Sequence, residues 1–195
     1  MNIQSINASM LWFFQERLLS MGIKEGGLEN YYNRRIDEKN IIAPVDLCLI
    51  NIIQRRYSYL TVIHEMACGA AQLAHALWLL GYRTSASEID DKRYRLAVDL
   101  GNCLSSRCKI TYGNSFLIET NADLYITVNA ATATMGLPNS LKFIEQKLSD
   151  GSDIIFKADL YGENQGDNRK TLSDTGIKYT ELENNFLLLR SRDNV

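Results

Sequence analysis

The stretch best suited to chemistry is Glu65-Met66-Ala67-Cys68-Gly69-Ala70-Ala71, with Glu88 following Gly69 by 19 residues. Small residues let a backbone approach a ligand closely, and a helix starting behind such a loop offers N–H groups to a carboxylate or phosphate. An acidic residue about twenty positions on, at the end of a second strand, can accept hydrogen bonds from both hydroxyls of a ribose. Other reactive groups are sparse. His64 lies in an apolar strand pattern and His75 in an apolar helix pattern, and each reads as a hydrogen-bonded structural histidine. Cys48, Cys68, Cys103 and Cys108 contain no C-x-x-C pair. No metal site is therefore expected. A Cys103–Cys108 bridge is conceivable, but reduced thiols are the expectation for a cytoplasmic chain.

Strands must end side by side to bring Gly69 and Glu88 together, and the order of elements provides for this. Residues 1–58 read as helical. Apolar spacing runs from Met10 to Leu19 with Ser9 as an N-cap, a second helix covers Leu28 to Asp37, and a third starts at Ala43-Pro44 and runs to Tyr57. Strands follow at Thr61–Met66, Tyr82–Ile89, Lys109–Tyr112, Asp123–Val128 and Asp153–Ala158. Helices lie between them at Gln72–Leu80, Asp90–Gly101 and Pro138–Leu148. This alternation implies right-handed βαβ units and a mostly parallel sheet. Two β-rich runs at the end, Ile177–Leu182 and Phe186–Arg190, are joined by Glu183-Asn184-Asn185 and form a hairpin signal. The expected fold is α/β, with a seven-stranded, mostly parallel, doubly wound sheet closed by an antiparallel hairpin. Residues 1–58 form a helical extension or lid on the body 59–195.

Taken together, Val62–Leu73, Glu88-Ile89-Asp90, Gly113-Asn114-Ser115-Phe116 and Asp123–Asn129 resemble the motifs of the class I S-adenosylmethionine-dependent methyltransferases, a Rossmann-like family. The resemblance covers roughly residues 55–190 and implies S-adenosylmethionine as cofactor. It implies that Ala67, Cys68 and Gly69 pass under the methionine moiety, with Glu65 near its amino group. It further implies that Glu88 binds the ribose, Ile89 packs on the adenine, Asn114 and Ser115 approach the adenine edge, and Asn129 lies near the methyl group and acceptor. Tyr31 and Tyr32 become candidate acceptor contacts in the lid. Two positions depart from the family pattern. Ala71 replaces a usual glycine, which would narrow the methionine site and strain a positive φ. Asn114 replaces a common aspartate. They leave a catalytically inactive binding or scaffold module as the alternative. The dinucleotide pattern G-x-G-x-x-G fits poorly, since Ala67 and Gln72 stand at two of its three glycines.

Composition narrows the partners. A net charge of −2 and a sequence pI of about 5.7 show no basic excess for a nucleic-acid backbone. The apolar run Met10–Phe14 ends at Gln15-Glu16-Arg17, so neither a signal segment nor a membrane span is expected. The expectation is a cytoplasmic enzyme methylating a small-molecule or sugar-like acceptor. No residue stands out as its catalytic base.

Overall fold

The computed structural model describes residues 1–21, 27–128, 131–158 and 168–190. Its strands are β1 (Val62–Met66), β2 (Arg83–Glu88), β3 (Lys109–Tyr112), β4 (Leu124–Thr127), β5 (Asp153–Lys157), β6 (Thr180–Leu182) and β7 (Phe186–Leu189). They form one sheet in the order β3-β2-β1-β4-β5-β7-β6. β1 to β5 pair in parallel, and β7 runs antiparallel to both β5 and β6. The hairpin works because Asn184 and Asn185 both take positive φ, 56° and 57°. Asparagine tolerates that region better than other side chains, and such turns match the twist of paired strands.

Three helices precede the sheet: α1 (Ile3–Met21), α2 (Gly27–Asp37) and α3 (Pro44–Arg56). The next four are α4 (Gln72–Leu79), α5 (Asp91–Cys103), α6 (Ala131–Ser149) and α7 (Asn168–Thr175). The strands alternate strictly between two cores. Leu124, Ile126, Ile155, Phe186 and Leu188 pack with Phe14, Ile42, Ile53 and Leu77 on one face. Tyr125, Ile154, Phe156, Leu187 and Leu189 pack with Ile144 and Leu172 on the other. This is the period of two expected of strands buried on both sides. The N-terminal helices thus share a core with the sheet.

Several sequence expectations need correction. The first helix begins at Ile3, and its cap is Asn2, whose Oδ1 accepts the Ser5 N–H at 2.9 Å. Ser9 lies inside the helix and donates back to the Ser5 carbonyl at 3.1 Å. α6 begins at Ala131, so Pro138 falls within it. Proline at a first helical position is the commoner arrangement and misleads here. α7 escaped sequence reading because it is short and polar and buries only Asn168 and Leu172. Asp90 is the N-cap of α5, accepting from the Arg93 N–H at 2.9 Å.

His75 ties the layers together. Its Nε2 lies 2.9 Å from the Ala97 carbonyl and its Nδ1 2.9 Å from Ser106 Oγ. A carbonyl only accepts, so Nε2 carries the proton. The ring lies so close to α5 that a Cβ at Gly101 would stand 2.7 Å from its Cε1. Gly101→Ala gains up to about 1 kcal/mol of helix propensity but loses about 1–3 kcal/mol to overpacking against a ring pinned at both nitrogens. Thermal denaturation is expected to give a Tm lower by roughly 2–6 °C. A Tm equal to or above wild type would contradict this reading of the contact.

Candidate functional site

Strand order reverses between β1 and β4, and the carboxyl end of β1 there is the usual ligand position in such sheets. The loop Ala67–Ala71 leaves β1 at this point. Ala67, Gly69 and Ala71 take φ of 50°, 59° and 56°. Left-handed backbone is free for glycine but costs an alanine about 1–2 kcal/mol. Hydrogen bonds hold the loop in this shape. The Ala67 N–H donates to Ser115 Oγ at 3.1 Å, the Cys68 N–H to the Ser87 carbonyl at 3.0 Å, and the Gly69 N–H to Glu88 Oε2 at 2.7 Å. The Ala71 N–H donates to the Cys68 carbonyl at 2.9 Å. In the first turn of α4, the Ala74 N–H donates to Glu65 Oε2 at 2.9 Å. Of the loop's five N–H groups, those of Ala67, Cys68, Gly69 and Ala71 are thus taken by the protein. The carboxylate at the start of α4 is the chain's own Glu65.

The acids around the loop set its electrostatics. Glu65 is 6% exposed, and burial raises its pKa well above the usual range. The nearby Asp46 adds to this, and the Ala74 bond opposes it. Asp46, in the first turn of α3, is raised to about 6, mainly by burial, against the Ala43 N–H and Arg35. Neither has a salt bridge among the described residues. Glu88 is 3% exposed, and its Oε1 accepts the Ile89 and Asp90 N–H groups at 2.9 Å each. A carboxylate has about four acceptor positions, so Glu88 keeps roughly one, on Oε2, beyond its three backbone bonds.

The other residues singled out from sequence divide in their placement. Ile89 is 60% exposed, and Tyr112 and Leu117 are exposed as well, which leaves an open apolar surface beside Glu88. Asn114 Oδ1 accepts the Phe116 N–H at 3.0 Å and so caps the turn after β3. Ser115 is buried and faces the loop through its hydroxyl. Cys68 is buried, and its thiol pKa is raised well above the usual range by burial, so it is held as the thiol. Tyr32 is 2% exposed, stacked on Phe14 with centroids 4.2 Å apart, and its hydroxyl accepts from Gln72 Nε2 at 3.0 Å. It holds the loop from below and presents almost no surface to an acceptor. Tyr31 is partly exposed, with the Arg35 guanidinium 5.2 Å from its ring centre. Asn129 lies outside the described residues. Ala71 is fully buried in a cluster with Cys68, Ala74, Ala86, Ala97 and Cys108, and its φ of 56° is the positive value expected from the sequence.

Sequence reasoning missed Asp46, Ser87 and Gln72. The signal for Ser87 was present: β2 reads Arg83-Thr84-Ser85-Ala86-Ser87-Glu88, which sets serines two apart on one face of a buried strand, with Ser85 paired in register to His64. Among the described residues no cluster of ligands could hold a metal, and no helix is long and apolar enough to cross a membrane.

No family model matches the sequence, and no curated protein matches it. Solved structures do match in shape. A Methanococcus maripaludis protein assigned to the S-adenosylmethionine-dependent methyltransferases aligns over 84% of this chain and 93% of its own, with 15% identity and a TM-score of 0.65. The magnesium protoporphyrin IX methyltransferase of Synechocystis, solved with S-adenosylmethionine bound, aligns over 98% of both chains at 13% identity and a TM-score of 0.58. TehB of Haemophilus influenzae aligns over 81% of this chain and 66% of its own, at 12% identity and a TM-score of 0.60. The fold is that of the class I S-adenosylmethionine-dependent methyltransferases.

Two variants test the site's energetics. For Ala71→Gly, relief of about 1–2 kcal/mol of backbone strain is offset by about 0.4–1 kcal/mol of chain entropy and about 0.8 kcal/mol of lost burial. Denaturant unfolding is expected within about 1 kcal/mol of wild type, the size at which these terms cancel. The Asp46 carboxyl is raised in the folded state, so its contribution is present below the unfolded pKa of about 4 and is lost as pH rises through about 6. Asp46→Asn should match wild type near pH 4 and be more stable by about 1–3 kcal/mol at pH 8. A variant less stable at pH 8 would show that the charge is compensated.

Proposed function

We propose that this chain is an S-adenosylmethionine-dependent methyltransferase acting on a small-molecule or sugar-like acceptor. The observation that carries the reading is the loop itself. Four of its five N–H groups are used internally, the buried acids Glu65 and Glu88 hold it and the start of α4, and the buried Asp46 lies near Glu65. A phosphate-bearing cofactor needs the opposite arrangement, with donors pointing outward. A ligand with ammonium and sulfonium charges would offset the cost of ionising these buried carboxyls. The fold supports the same choice.

The residues present fit the group. Glu65 and Asp46 would hold the methionine ammonium, with the Gly69 backbone beneath it. Glu88 would accept a ribose hydroxyl on its remaining Oε2 position, and Ile89 would cover the adenine face. Asn114 would meet the adenine edge with the NH2 that its turn bond leaves over. Cys68 and Ala67 would line the loop. Asn129 and Tyr31 would border the acceptor, with residues 1–58 covering that side of the body 59–195.

The cofactor supplies an electrophilic methyl group, and the protein's contribution is orientation and exclusion of water. No described group is poised as a base. His64 has both ring nitrogens occupied by serines, and burial, with Lys147 nearby, lowers its pKa to about 4. The reaction is therefore one in which the acceptor's proton leaves to water or the acceptor arrives deprotonated. The low positive charge of the chain favours a small acceptor over a nucleic acid, and the cytoplasm is the compartment in which its thiols stay reduced.

Isothermal titration calorimetry with S-adenosylmethionine and S-adenosylhomocysteine tests the reading. Both should bind, ATP and NAD should not, and Glu88→Ala should weaken binding by roughly 1–3 kcal/mol, about 5- to 150-fold. Wild-type affinity in that variant would remove Glu88 from the ribose site. Absence of binding at millimolar cofactor would overturn the function.

A further inference from the structure

His64 lies in the middle of β1, buried to 1% exposure and three residues before the loop. Its ring nevertheless connects to the loop. Nδ1 is 2.9 Å from Ser85 Oγ and Nε2 is 2.9 Å from Ser87 Oγ. Ser87 Oγ is 2.7 Å from Ser115 Oγ, which in turn accepts the Ala67 N–H at 3.1 Å. An unbroken line of hydrogen bonds thus runs from β2 through the imidazole to the first residue of the loop. The groups facing the ring from other elements are Tyr125 on β4, with centroids 5.9 Å apart, and Lys147 on α6, whose charge opposes protonation of the ring.

A neutral imidazole has one N–H and one bare nitrogen, so the line has two proton arrangements. With the proton on Nε2, Ser87 accepts from the ring and donates to Ser115, while the Ser85 hydroxyl donates to Nδ1. With the proton on Nδ1, that nitrogen donates to Ser85, Ser87 donates to Nε2, and Ser115 donates to Ser87. In both arrangements the Ser87 and Ser115 hydroxyls are each fixed by two partners, and Ser115 keeps a lone pair for the Ala67 N–H. Without the Nε2 edge, Ser87 loses a partner and both hydroxyls can rotate away. Ala67 then loses the bond that holds it at a φ of 50°, a conformation its side chain resists.

We propose that His64 is a positioning residue for the cofactor loop, acting through its Nε2 edge on Ser87 and Ser115. The functional part of this proposal rests on the loop being the S-adenosylmethionine site. The structural part does not, and the experiment separates them.

Glutamine places its amide nitrogen near the position of Nε2, and asparagine places its own near Nδ1. Hydrogen exchange of the Ala67 amide is measured by NMR in the full-length, ligand-free protein. His64→Asn and Ser115→Ala should expose that amide to exchange about tenfold faster, while His64→Gln restores most of the protection, the scale of one lost hydrogen bond. Titration with S-adenosylhomocysteine should follow the same order, weaker by about tenfold for His64→Asn and Ser115→Ala and within about threefold for His64→Gln. A residue that merely fills space would give equal values for the Gln and Asn variants, and that result would overturn the proposal. Equal Ala67 exchange in wild type and Ser115→Ala would overturn it independently of how the His64 variants fold. If wild-type protein fails to bind S-adenosylhomocysteine, the cofactor reading falls, while the Ala67 exchange pattern still decides the relay.

Discussion

The structure depends on how the backbone N–H groups of Ala67–Ala71 are paired. A buried N–H left without a partner costs about as much as a lost hydrogen bond, so a loop turning tightly at the head of a sheet must find an acceptor for each one. Here the acceptors come from separate parts of the chain: Ser87 and Glu88 on β2, Ser115 after β3 and the loop's own Cys68 carbonyl, with Glu65 on β1 serving the first turn of α4. No single element shapes the loop. Behind the loop, the Tyr32 hydroxyl on α2 accepts from Gln72 at the start of α4, and this contact ties the N-terminal helices to the site.

The same arrangement carries an electrostatic cost. Burial raises the pKa values of both Asp46 and Glu65, with Asp46 adding to the shift at Glu65, so the ionised forms are disfavoured in the folded state. His64 and His75 shift the other way and stay neutral. The two sets have opposite effects on stability as pH changes. The carboxyls favour folding at low pH and lose that contribution on the way up, while the histidines lose theirs as pH falls from about 6.5 towards their folded values. The histidines are fully hydrogen-bonded and belong to the frame. Among the described residues neither carboxyl has a salt bridge, and strongly perturbed acids at the end of a parallel strand are where a binding function is most economically sought.

Much of the frame was legible in the sequence. Strands β1, β4 and β5 show as short apolar runs, β2 and β3 fall between helix patterns at βαβ spacing, and Asn184-Asn185 marks the final turn, because these signals arise from local backbone preference and from burial on both faces. The starts of α1 and α6 and the existence of α7 were not legible. α1 continues past its apolar face, α6 carries its proline internally, and α7 is held by a few tertiary contacts of a polar segment. At the site, sequence spacing found Glu65, Gly69 and Glu88 but assigned every polar atom outward. A sequence lists which groups can form hydrogen bonds. Which of them are claimed by the protein itself depends on partners that meet only in three dimensions, as Ser115 meets Ala67 across 48 positions.

The alanines at 67 and 71 explain how such a loop can depart from a glycine pattern. What the turn requires is left-handed backbone, and glycine is only the cheapest way to obtain it. Ala67 is held there by the Ser115 hydroxyl. Ala71 instead places its methyl in the small-residue cluster between α4, α5 and β2, where burial of that carbon offsets part of the strain. A pattern defined by glycines does not see either device, because the compensating atoms lie on other elements. The helpers Ser115, Ser87 and Tyr32 are the residues through which the loop's geometry is retained, and substitutions there should affect the cleft more than equally conservative changes on its surface.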